Sequence, residues 1–278
     1  MNSFIFDDMQ TMKRKSILIE NCLLISGFLQ RNVVIDFYSP EEINPAGNIS
    51  LLLINDGQLM EEMRLTEILE EFFLKNKNNS VVIAAIHAGK ERKLEYGVAA
   101  EPDYRGRGAK AGAYTDFVLK ELLPFIRKKY PNNFNEISYA GFSLGGLMAL
   151  DMGWNHPDVF SKVAAFSGSF WWRSVDQNNE QYDDDKHRIM QQQIRRSVFK
   201  PGLKFFFQCG NMDEKNDRNK NGIIDSIDDT LDLVNELVQK GYDPRNDIFY
   251  LELKDGRHDE STWAKAFPLF LDWAFADK

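Results

Sequence analysis

Residues 137–150, ISYAGFSLGGLMAL, decide the fold. ISYAGF reads as a strand, LGGLMALDMGWN (144–155) as a helix, and Gly141-Phe142-Ser143-Leu144-Gly145 falls on the seam between them. A serine hydroxyl is a weak nucleophile, so it reacts only where a sharp, strained turn lifts it to meet a base. Such a turn crowds the positions two before and two after the serine, and glycine relieves the clash. The helix that follows points its N-terminus at Ser143 and favours negative charge there. A glycine-rich turn that merely packs closely would look the same locally, so the rest of the chain has to decide.

Outward from this segment, SLLLIN (50–55) and VVIAAIH (81–87) are continuous apolar runs, as expected of strands buried on both faces. Between them, MEEMRLTEILEEFFLK (60–75) has apolar residues at helical spacing. TDFVLKELLPFIRKKY (115–130) reads as a helix kinked at Pro124. KVAAFSG, LKFFFQCG and DIFYLEL read as later strands, with helices over about 227–240 and at STWAKAFPLFLDWAF (261–275). Strands alternating with helices imply right-handed βαβ units. ILIENCLLIS and NVVIDFYSP (17–26 and 32–40) have no helix between them, so they add antiparallel edge strands. The expected class is α/β: a mostly parallel central sheet, an antiparallel N-terminal edge, helices on both faces, and one domain over 1–278. Residues 1–15 are expected to form a poorly ordered tail.

A net charge of −8 argues against nucleic-acid or anionic-membrane partners, although RGRGAK (105–110) is a candidate local basic patch. The N-terminal stretch carries Asp7 and Asp8 where a signal peptide needs positive charge, and the apolar stretch after it is broken by Glu20 and Asn21. A cytoplasmic location is therefore expected. Cys22 and Cys209 each lie in an expected strand and read as free thiols.

A serine on this turn calls for an acid and then a histidine later in the chain. His87 precedes the serine, His156 follows its helix directly, and His187 lies in a charged stretch. His258, on the loop GRHDESTW after a late strand, is the candidate base. For the acid, Asp213 at the tip of LKFFFQCG is preferred over Glu214, with Asp217 and Asp225 as weaker competitors. Two amides must face the developing oxyanion. Leu144, directly after the serine, supplies one, and Gln58 in the Asn55-Asp56-Gly57-Gln58 turn is the candidate for the other.

With LLLINDGQL, EYG (95–97), AYTDFVLKELLPFI, GFSLGGLMAL, SGSFWW (167–172) and GRHDESTW in view, the chain resembles an esterase family of the α/β-hydrolase fold. That family includes enterochelin, feruloyl and acetyl xylan esterases, S-formylglutathione hydrolases and mycolyltransferases. The resemblance runs from about residue 30 to the C-terminus, and SGSFWW is most similar to the enterochelin-esterase branch. It implies a serine carboxylic-ester hydrolase using Ser143, His258 and an acid at 213–214, with the Gln58 and Leu144 amides. The chain is shorter than enterochelin esterases, which usually carry an extra N-terminal domain. An acyltransferase, a carbohydrate acyl esterase and a non-catalytic ligand-binding relative are the alternatives. A small-molecule ester is the expected partner; the oligomeric state is left open.

Phe170, Trp171 and Trp172 follow a strand and are expected at the mouth of the site, where they could hold an aryl group or a sugar. Arg92, Tyr96, Tyr104, Arg105 and Arg107 lie on a long loop that could offer guanidinium groups to an anion. In NDRNKNGIIDSIDDT, Asp217, Asn219, Asn221, Ile223, Asp225 and Asp228 match positions 1, 3, 5, 7, 9 and 12 of a calcium loop, with Gly222 at position 6. The last position is Asp, as in dockerin-type loops, which the segment resembles. Calcium there would be structural, and the chemistry needs no cofactor. The alternative is an acidic insertion whose Asp225 or Ser226 caps the next helix.

Overall fold

The protein, a computed structural model, is described over residues 16–43, 48–131 and 134–276. The tail expected at 1–15 lies outside the described residues. Among the described residues eight strands form one sheet: β1 Ile17–Ser26, β2 Arg31–Pro40, β3 Asn48–Asn55, β4 Asn79–Ile86, β5 Glu136–Phe142, β6 Lys162–Phe166, β7 Lys204–Gly210 and β8 Ile248–Leu253. Their order is β1-β2-β4-β3-β5-β6-β7-β8. β1, β2 and β4 pair antiparallel, and every later pairing is parallel. The antiparallel N-terminal edge is therefore as expected.

The helices are α1 Leu65–Lys75, α2 Arg92–Glu95, α3 Ala111–Phe117, α4 Leu123–Lys129, α5 Leu144–Asn155, α6 Asp184–His187, α7 Ile189–Arg196, α8 Asp225–Lys240 and α9 Glu260–Phe275. Alternation along the central strands sends side chains to both faces. Leu51 and Leu53 join one buried cluster with α3, α4 and α5, while Leu52 and Ile54 join another with α1 and α9. Where Pro124 predicts a kink, a π turn over Val118–Leu122 joins α3 to α4. Proline has no N–H to give the carbonyl four residues back, so the helix widens there instead of breaking.

α5 is buried along its whole length from Leu144 to Trp154. An element buried on every side belongs at the centre of the molecule, and this one fixes where Ser143 stands. Cys22 and Cys209 are free thiols, and no described helix is long and apolar enough to cross a membrane.

Candidate active site

Ser143 sits between β5 and α5 with φ 55° and ψ −120°, outside the ordinary basins for a residue with a side chain. Glycine makes that turn possible. A Cβ on Gly141 would lie 2.2 Å from the Gly145 carbonyl oxygen, and one on Gly145 would lie 2.7 Å from Asp56 Oδ2. The Ser143 amide donates to the Phe166 carbonyl at 2.9 Å, which locks the turn onto β6. The hydroxyl is half-buried, and its hydrogen-bond partner is Ser169 Oγ at 3.3 Å. Among the described residues no hydrogen bond joins it to His258.

The loops of the expected acid and base are bound to each other through the backbone. The Asn211 amide donates to the Leu253 carbonyl at 3.1 Å, and the Met212 amide to the Gly256 carbonyl at 2.8 Å. Asp213 and His258 are thereby held in electrostatic contact. Burial raises the Asp213 carboxyl above its ordinary value, opposed by the Gly210 amide, the Ser167 hydroxyl and the His258 charge. Its Oδ2 accepts from Gly210 N at 3.1 Å, while Oδ1 is buried without a hydrogen-bond partner.

The His258 ring stands edge-on to Trp263, centroids 5.4 Å apart. Much of the residue's area is exposed, yet enough protein crowds the imidazole to lower its pKa; Asp213 opposes this and Arg92 adds to it. A lowered pKa keeps a general base unprotonated at neutral pH. The other histidines are otherwise engaged. His87 Nε2 pairs with Asp36 at 2.6 Å, His187 Nδ1 accepts from the Asp183 amide at 3.0 Å, and His156 ends α5.

Gln58 lies in a short 3-10 turn, Gly57–Leu59, and Leu144 opens α5. Amides in a helix's first turn have no carbonyl of their own helix to bond, which leaves both free to donate. Glu214 is half-buried beside Asp213, and burial raises it too; Asn216 Nδ2 donates to it at 3.1 Å.

Several of the expected substrate-contact residues are buried or bonded to other protein groups. Tyr96 and Trp172 are fully buried and Phe170 is 1% exposed. Tyr96 OH receives the Asp56 amide at 3.4 Å. Trp172 fills the space left by two glycines of the long loop: a Cβ on Gly97 or Gly108 would lie 2.7 Å from its Cζ2. Phe170 packs edge-on to Phe207 at 5.6 Å. Arg92 is held by the Asp56 carboxylate, Nε–Oδ1 2.6 Å and Nη2–Oδ2 2.7 Å. Trp171 remains half-buried with the Arg107 guanidinium 4.6 Å above its ring. With Tyr104, Arg105, Arg173 and Glu214 these two line a cleft of about 240 Å³.

Two contributors were missed at the sequence level. Asn55 ties the tip of β3 to α5 by donating to the Gly145 carbonyl at 2.9 Å, while its Oδ1 accepts from Tyr114 and Tyr139. Ser169 touches the nucleophile and sends its own amide to the Ser143 carbonyl at 3.1 Å. The SGS before the aromatic run was the available signal for the second.

In the calcium-like loop, Asn219 and Asn221 each donate to Asp228 Oδ2 at 2.8 Å, and Asp217 accepts from the Asn221 and Gly222 amides. Those four side chains are brought together. Asp225 is not with them; it begins α8 and its Oδ1 takes the Arg218 amide at 2.8 Å and guanidinium at 3.1 Å. Among the described residues no cluster of three or more His, Cys, Asp or Glu side chains is set to hold a metal. The oxygens of Asp217, Asn219, Asn221 and Asp228 and the Ile223 carbonyl are hard donors of the type calcium takes, given rotation of the two amides.

The family model described as "Putative esterase" matches residues 26–273. The chain belongs to this esterase family, and it is a carboxylic-ester hydrolase. A relative from Bacillus subtilis (strain 168), the uncharacterized protein YjcH, is 27% identical over 192 residues, covering 66% of this chain and 75% of its own. The enterobactin esterase FES from Shigella flexneri, solved in the presence of enterobactin, superposes with TM-score 0.70 at 20% identity over 91% of this chain. The esterase chain spans only 57% of that protein's length. The siderophore hydrolase EstB from Aspergillus nidulans superposes with TM-score 0.65 at 17% identity, covering 100% of both chains. At these identities the likeness extends to the fold alone.

Proposed function

We propose that the esterase cleaves a small-molecule ester through an acyl-enzyme on Ser143, with His258 as general base and Asp213 orienting the imidazole. One observation carries this reading: a strained serine opens α5 at the tip of β5, and the loops after β7 and β8 are bonded to each other so that Asp213 and His258 feel one another's charge. In the first step Ser143 Oγ attacks the ester carbonyl, its proton passes to His258, and the Gln58 and Leu144 amides take the oxyanion. Collapse expels the alcohol, which leaves with that proton. Water then adds by the same route, frees the acid and restores the serine.

The Trp171 ring face in this cleft suits an aromatic acyl group; Arg107 is already paired with Asp103, and Asp176, Glu214 and Asp225 share the lining. The test is a fluorophosphonate probe followed by peptide mass spectrometry. Label on the Ser143 peptide supports the reading; label elsewhere, or none on active protein, ends it.

Calcium is proposed as a structural ion at Asp217, Asn219, Asn221, Ile223 and Asp228, bracing the chain between acid and base. A ligand that binds only the folded state at 100 times its Kd adds about 2.7 kcal/mol. Millimolar calcium should accordingly raise the melting temperature by several degrees, and Asp217→Ala should abolish the rise. Equal melting temperatures in calcium and in EGTA would dismiss the ion.

A further inference from the structure

We infer that Arg92 is a positioning residue for ester cleavage, its guanidinium setting the spacing of the two oxyanion amides by joining Asp56 to the Phe142 carbonyl. The inference rests on the Ser143 reading above and assigns Arg92 a role other than substrate contact.

Asp56 has φ 64° and ψ 46° and its side chain is 1% exposed. A left-handed backbone on a residue with a side chain and a carboxylate shut away from water are both unfavourable without compensation. Arg92 supplies that compensation with two parallel bonds, 2.6 and 2.7 Å, in the fork geometry that only a guanidinium provides. The same Nη2 also donates to the Phe142 carbonyl at 3.3 Å. One rigid planar group thus grips two separate strand tips. Asp56 lies two residues before Gln58, and Phe142 two residues before Leu144, so each grip is equally close to one amide donor.

Neighbouring contacts point the same way. Asp56 Oδ2 lies so near the first turn of α5 that only glycine fits at position 145. The Gln58 side chain donates to Asp56 Oδ1 at 3.3 Å and accepts from the Ala88 amide at 3.0 Å, tying the loop to the end of β4. Oxyanion donors act only when aimed at where the charge develops, and misplacement by about 1 Å costs on the order of 100-fold. The charge of Arg92 also opposes protonation of His258, against Asp213, Asp259 and Glu260, which favour it. Fork and charge can therefore be separated by substitution.

The experiment measures kcat, KM and the pH profile of kcat/KM with p-nitrophenyl butyrate for wild type, Arg92→Lys, Arg92→Met and Asp56→Asn. Arg92→Lys keeps the charge and loses the fork: kcat should fall about 10- to 100-fold, KM should change less than about threefold, and the acid limb should stay in place. Arg92→Met should lose at least as much kcat, and its acid limb should move to higher pH because nothing replaces the charge near His258. Asp56→Asn, which keeps shape, should copy the kcat loss of Arg92→Lys, and it decides alongside Lys if the Met variant does not fold. Unchanged kcat with KM raised about tenfold or more in both arginine variants would overturn the inference and make Arg92 a substrate ligand, while Ser143 labelling by fluorophosphonate would still hold. Loss of that label in wild type would instead strike the parent reading.

Discussion

Ser143→Ala is expected to lower kcat/KM by about 10⁵- to 10⁶-fold while leaving the melting temperature within a degree or so of wild type. Triad residues act as a unit, and removal of the nucleophile alone costs on the order of 10⁶ in well-studied serine hydrolases. The remainder comes from substrate binding and the oxyanion amides, which alanine leaves in place. Stability should hardly move, because alanine keeps the Cβ and meets the same strain at φ 55°. The one side-chain bond lost is the long 3.3 Å contact with Ser169, whose amide stays on the Ser143 carbonyl. Hydrolysis of p-nitrophenyl acetate and butyrate, read beside calorimetry, checks both halves. A loss below tenfold in a folded variant would place the nucleophile elsewhere. The resting hydroxyl turned toward Ser169 is compatible with catalysis, since catalytic hydrogen bonds often tighten only with substrate bound. A single χ1 rotation reorients the oxygen, whereas the backbone that aims it is already set.

How much of this could be read from sequence follows from how local each determinant is. The turn at Ser143 is governed by sterics within five residues, so Gly141 and Gly145 announce it. The buried strands announce themselves because alternate residues must satisfy two apolar faces, as Leu51 and Leu52 do. His258 could be singled out because only it follows a late strand on a loop. Side-chain direction is another matter. Phe170, Trp171 and Trp172 are consecutive aromatics, yet only Trp171 stays partly open, because Gly97 and Gly108 hollow out a socket for Trp172. Nothing near Trp172 in the chain marks those glycines as its partners. Arg92 reads as a free loop cation until Asp56, 36 residues earlier, is seen beside it. Long-range partners decide these cases, and a single sequence carries no record of them.

Asp213→Asn should separate catalysis from stability: a loss of about 10⁴-fold in kcat with a melting temperature at pH 8 equal to or above wild type. The activity half follows from one fixed bond. Gly210 N donates to Asp213 Oδ2, so an asparagine there must turn its oxygen to that amide and its NH₂ toward the position of Oδ1. On the proposed triad that NH₂ faces Nδ1 of His258, forces Nδ1 to accept, and moves the ring proton to Nε2, which then cannot take one from Ser143. An Asp-to-Asn change of this kind in a serine protease costs about 10⁴ through the wrong tautomer. The stability half follows from the raised carboxyl pKa, whose largest cause is burial. A raised folded-state value means folding favours the protonated acid; that favourable contribution is complete below the unfolded-state value and disappears as pH climbs through the folded one. At pH 8 the wild type therefore folds with a buried charge that costs stability, and the neutral amide does not. The advantage of the variant should shrink as pH falls toward 4, where the wild-type acid gains its own proton. Calorimetry of both proteins across that range is the measurement. A variant less stable at pH 8 than at pH 4, relative to wild type, would mean that the hydrogen bonds to the carboxylate outweigh burial and that it is held for stability as well as for chemistry.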